Sequence, residues 1–143
     1  MILEALATVC AGLFAGAAIY ITFVEHPARL ECGTELAATV FGPSYRRAAI
    51  MQASLAAVGL AAAVVAWAQG RGLIVLAGGL LLGLVIPFTL LVILPTNQRL
   101  LDPGLDRRSP ETARLLVRWG RLHAVRSAVA GLAFVLLTYH LAS

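Results

Sequence analysis

The chain alternates long apolar runs with short polar clusters. Residues 5–24 carry no Asp, Glu, Lys or Arg over 20 positions, residues 48–70 over 23, and residues 72–98 over 27. Such runs exceed what strands or buried helices of a soluble domain use, and match the ~20 residues that a helix needs to cross a bilayer. The runs do not alternate in polarity, so helices rather than barrel strands satisfy the backbone in lipid. A last run, Ser127–Ser143, has only 17 residues. At ~1.5 Å per residue it is shorter than a ~30 Å hydrocarbon core. A fourth span must therefore extend back through Arg126, His123 and Trp119. The prediction is one all-α domain over residues 1–143, with four transmembrane helices at about 3–26, 46–69, 72–97 and 116–141 in an antiparallel bundle.

Composition agrees: 60% of the 143 residues are hydrophobic and 13% charged. No positively charged segment precedes the first run, so it reads as a span rather than a cleaved signal. Nine of the eleven arginines fall in the first and third linkers and at the base of span four; Arg71 stands alone in the Gln69–Gly72 turn, and Arg126 lies within span four. The positive-inside rule then places the arginine-rich side in the cytoplasm and both termini outside the cell's inner (plasma) membrane. Arginines facing anionic headgroups account for the net charge of +4, and no nucleic-acid partner is called for. The bilayer itself is the expected partner.

Cys10 and Cys32 fall on different levels of the bundle, so no disulfide is expected. Gly12 and Gly16, and Gly79 and Gly83, form two GxxxG pairs. They suit close helix contact, either within the chain or in a homo-oligomer. Pro27 predicts a helix end near Glu25–His26, and Pro87 a kink in span three.

Polar chemistry gathers on the arginine-rich half. On a helical wheel Arg114, Arg118 and Arg121 share one stripe, while Trp119, His123 and Arg126 form another. The second stripe combines an aromatic plate, a titratable base and a permanent cation at membrane depth, where ionisable residues mark sites. An interfacial tryptophan with a snorkelling arginine is the plainer account of it. The other spans deliver Tyr20, Glu25 and His26, then Gln52, then Asn97 to the same level. A buried Arg126 needs a partner, and by depth Glu25 or Asn97 is expected to supply it.

Three segments carry a resemblance: Gly12-Leu-Phe-Ala-Gly16 with its polar exit from span one, Pro95-Thr-Asn97-Gln-Arg-Leu100, and Trp119-x-x-x-His123-x-x-Arg126. In order and spacing they resemble the anthrone-oxygenase-like family of small four-helix integral membrane proteins. The resemblance implies oxidation of an apolar polycyclic aromatic by O2, with no conventional redox cofactor. In that chemistry His123 or Glu25 would be the base. Arg126 and Asn97 would stabilise a phenolate-like oxygen, and Trp119 and Tyr20 would stack on the substrate, with Gln52 and His26 beside it. Two alternatives stay open: a haem- or metal-binding oxidoreductase using Glu25, His26 and His123, and a transport or assembly component without catalysis. No metal motif is present in the sequence.

Overall fold

The computed structural model describes all residues 1–143 as four long helical rods: α1 (Ile2–Glu31), α2 (Thr34–Ala68), α3 (Leu73–Leu100) and α4 (Pro110–Ala142). Each is long and apolar enough to cross a membrane. The protein is a multi-pass membrane protein. Each rod packs on the next, and α1 closes the ring against α4. Glu4 Oε1 lies 3.0 Å from His140 Nε2, so both termini sit at the same end.

The connections are short where glycine permits. Gly33 (φ 94°) separates α1 from α2, and Gly70 (φ 83°) and Gly72 (φ 92°) turn α2 into α3. L-residues with a Cβ rarely adopt such angles. The longer α3–α4 loop is tied by Arg99 to Asp102 and Glu111, and by Arg108 to Glu35. Ser109 caps α4 by accepting from Thr112 N–H, with Pro110 at the first helical position.

Two features depart from the sequence reading. The chain does not leave the helix at Pro27, and α2 begins at Thr34 rather than near residue 46, carrying Pro43 inside it. The first difference has a local cause. Residues Ile21–Glu25 form a wide π turn, closed by His26 N–H donating to the Ile21 carbonyl, immediately before Pro27. Thr89–Ile93 form a second, closed by Leu94 N–H donating to the Thr89 carbonyl, immediately before Pro95. A proline clashes with the carbonyl four residues back and lacks an N–H. The extra residue in each wide turn lets the helix pass the proline and continue. The helix also runs on through Pro87.

Packing divides the bundle in two. Toward the termini the core is mostly alanine, with Phe14, Leu82 and Leu137. Glycines bring the rods together there. A Cβ on Gly79 would stand 2.2 Å from Ala63 Cβ, and one on Gly83 would stand 2.7 Å from Leu60 Cδ2. This GxxxG pair therefore packs α3 on α2 within the chain. Gly12 lies under the Phe134 ring, whereas Gly16 faces open space. Toward the arginine-rich end the core is bulkier, built on Phe41, Ile93, Leu116 and Trp119. Both cysteines are free, Cys10 buried and Cys32 exposed.

Candidate functional site

Between the two core regions the rods enclose a cavity of about 170 Å³, lined from all four helices. An apolar cavity of ~150 Å³ suffices for benzene, so this one has room for an aromatic ring. Apolar walls come from residues such as Phe14, Phe41, Val85 and Ile93. Ala53 on α2 and Leu90 on α3 also line it and are exposed, so the cavity opens between these rods onto the apolar outer surface.

Trp119 organises the end near the arginines. Its Nε1–H donates to Asn97 Oδ1 at 2.9 Å, which leaves Asn97 Nδ2 without a partner. The His123 ring stacks on the indole, and His26 lies tilted against it with centroids 5.0 Å apart. Phe41 meets its edge at 5.3 Å, so the indole is engaged by neighbours and braces them. His26 is buried outside the cavity lining, with Nε2 3.0 Å from the Leu116 carbonyl. Because a carbonyl only accepts, His26 Nε2 carries the proton. Gly120 makes room for this ring; a Cβ there would meet His26 Nε2 at 2.7 Å.

His123 is 1% exposed. Its Nδ1 lies 3.1 Å from Thr22 Oγ1, and its Nε2 is buried without a partner. One helical turn deeper, Arg126 reaches Gln52 Oε1 through Nη2 (2.6 Å) and Thr89 Oγ1 through Nη1 (3.3 Å). Its guanidinium carbon also lies 5.7 Å from the centre of the Phe14 ring. The expected partners, Glu25 and Asn97, do not meet Arg126. Glu25 instead binds Arg29, one turn along its own helix, and Asn97 takes the indole N–H. Arg126 thus has neutral partners and no carboxylate within ion-pair distance.

Of the residues singled out from sequence, Gln52, Asn97, Trp119, His123 and Arg126 line the cavity. Glu25 does not; it stands half-buried against Arg29. Tyr20 is 55% exposed on the outer surface and also stands outside the lining. Residues missed from sequence are Arg29, Thr89 and Tyr45 in the lining, and Thr22 and Ser127 behind His123. Ser127 carried a weak signal, a hydroxyl one turn after His123 in an otherwise apolar run.

The cavity has a consistent chemistry. Arg29 Nε, Gln52 Nε2, Asn97 Nδ2 and Arg126 Nε are buried donors without partners. Buried polar atoms are nearly always satisfied by protein, water or ligand, so these four donors are available to a bound partner. Four donors and one imidazole nitrogen in an apolar shell suit a flat ligand bearing acceptor oxygens. No three side chains among His, Cys, Asp and Glu come together as a metal-binding group.

A family profile described as anthrone oxygenase matches residues 37–136. The chain belongs to the anthrone oxygenase family. The match covers α2, α3 and most of α4, and so includes Gln52, Asn97, Trp119, His123 and Arg126. Phe14, Ile21 and Arg29, which α1 contributes to the cavity, and Thr22 behind His123 lie before the matched segment. No curated protein and no solved structure matches the chain.

Proposed function

We propose that the protein is a membrane-embedded oxygenase acting on a flat, oxygen-bearing polycyclic aromatic with an acidic carbon, an anthrone-like substrate. Substrate enters from the lipid between Ala53 and Leu90 and lies between Phe14 and Trp119. His123 Nε2 takes a proton from the carbon between two rings. The electron pair delocalises onto the substrate oxygen, where Arg126 and the Gln52 and Asn97 amides stabilise the negative charge. O2, which partitions well into the apolar cavity, then bonds to that carbon, and the peroxide anion so formed takes back the proton held on His123. Loss of water from the resulting hydroperoxide turns the CH2 into C=O. One oxygen atom is kept and the other leaves as water, so the electrons balance without a further reductant. The arginine-rich end faces the cytoplasm in this reading.

The supporting observation is the pairing of a buried, unpartnered His123 Nε2 with a buried cation, one turn away, that has no carboxylate. A buried cation is costly unless compensated, and an anionic ligand compensates Arg126. Glu25 is assigned to holding Arg29 rather than to proton abstraction. Purified protein in detergent or nanodiscs, given an anthrone under air, should consume one O2 per quinone formed. His123→Phe should abolish this while leaving the helical circular dichroism unchanged. Wild-type turnover in that variant would overturn the reading.

A further inference from the structure

The His123 ring is held from behind by two hydroxyls from different helices. Thr22 Oγ1 lies 3.1 Å from Nδ1 and 2.8 Å from Ser127 Oγ. Ser127 Oγ in turn lies 3.0 Å from the Ala18 carbonyl, 3.0 Å from the His123 carbonyl and 3.4 Å from His123 Nδ1. Each hydroxyl has one proton to give. A carbonyl can only accept, and a helical serine commonly gives its proton to the carbonyl one turn back, so the Ser127 proton is assigned to His123 or Ala18. The Thr22–Ser127 contact then requires the Thr22 proton. With that proton spent, Thr22 can only accept from the imidazole. On that assignment, counting protons along the chain puts a hydrogen on Nδ1 and leaves the lone pair on Nε2, which is buried without a partner in a residue that lines the cavity.

We propose that Thr22 and Ser127 are positioning residues that fix the His123 proton on Nδ1, so that Nε2 meets the substrate as a base. This rests on the reading of His123 as the base. The relay runs in one direction: Nδ1–H to Thr22, Thr22 O–H to Ser127, and Ser127 O–H to a backbone carbonyl. Donors already committed in this way polarise one another. When Nε2 accepts a proton, the imidazolium finds its Nδ1–H bond already made, so nothing behind the ring must reorganise. The π turn at Ile21–Glu25 contains Thr22, and thus the helical irregularity of α1 lies where the relay begins. His26, which also packs against Trp119, is held in the opposite tautomer, with its proton on Nε2.

Nitrogen NMR of isotope-labelled histidine reads the tautomer without substrate, and the signal lost in His123→Phe identifies His123. The expected wild-type spectrum has Nδ1 protonated and Nε2 bare. Thr22→Val removes the acceptor and should shift His123 toward Nε2–H, whereas Thr22→Ser should retain the wild-type form. Ser127→Ala is the sharper test. It frees the Thr22 proton to point at Nδ1, so the tautomer should move although Thr22 is untouched. Turnover should drop tenfold or more in Thr22→Val and Ser127→Ala, and recover in Thr22→Ser. A wild-type His123 protonated on Nε2, or a tautomer indifferent to both substitutions, overturns the relay. If the tautomer behaves as expected but His123→Phe retains turnover, the relay stands and the assignment of the base falls.

Discussion

The imidazole of His123 lies on the indole of Trp119, with ring centroids 4.7 Å apart and 27° between the planes. The same indole donates to Asn97 from α3. One side chain thus sets the plane of the base and the orientation of the amide. Trp119→Phe should keep the stack and lose the hydrogen bond, leaving a buried Asn97 oxygen unpaired. A stability loss of about 1–3 kcal/mol is expected from thermal unfolding in detergent. Turnover should fall further than that loss explains, because Asn97 is then free to rotate.

Arg126 should separate activity from stability. It has neutral partners, so Arg126→Met breaks no buried ion pair and should avoid the ~3–5 kcal/mol that such a break costs. It does leave the buried Gln52 oxygen without its donor, at about 1–3 kcal/mol, which removal of the unpaired charge offsets, so the midpoint of thermal unfolding should stay near wild type. Activity should drop on the order of 10²–10³-fold, as for loss of a donor to a developing oxyanion. Arg114, exposed at the start of α4, provides the control: Arg114→Met should change neither quantity.

The glycines give a contrasting pair. Gly79→Ala pushes a methyl into Ala63, while Gly16→Ala meets nothing within 4 Å. The first should destabilise by about 1–3 kcal/mol through overpacking. The second should be neutral or slightly stabilising, by up to ~1 kcal/mol, since alanine is the better helix former. Chemical denaturation of both variants tests this. A marked loss in Gly16→Ala would point to a contact with a second copy.

Orientation is open to labelling in sealed vesicles of known sidedness. Exposed Cys32 stands at the arginine-rich end, opposite the termini. With that end in the cytoplasm, Cys32 should react only with membrane-permeant thiol reagents. A cysteine added after Ser143 should react with impermeant ones from outside. The reverse pattern would invert the proposed topology.

The four rods were legible because charge-free length is a direct consequence of lipid thickness. Their ends were not. Arg46, Arg47 and Pro43 read as a linker, yet a helix surface carries arginines without breaking, and a proline can sit inside a long helix whose neighbours hold it. Gln52, Asn97, Trp119, His123 and Arg126 were readable as a group because each stands at one level of its own span. Which of them touch was not. Depth along a helix says nothing of its rotation, so Arg126 was assigned to Glu25 or Asn97 and found Gln52 and Thr89 instead. Tyr20 sits at the right level and faces outward. Thr22 and His123 are separated by 101 positions, a relation that only the closed ring of helices creates.

The alanine- and glycine-rich end of the bundle has a bearing on how such a site can change. Rods clamped through small side chains at one end leave little freedom there. At the other end, bulky rings hold the same rods apart around a hollow. Selection can therefore alter Ala49 or Ala53 in the cavity wall, and so reshape what fits, without disturbing the contacts that keep the four helices assembled. Most of the contacts that assemble the helices lie outside the cavity wall, so substrate choice can drift while stability stays put.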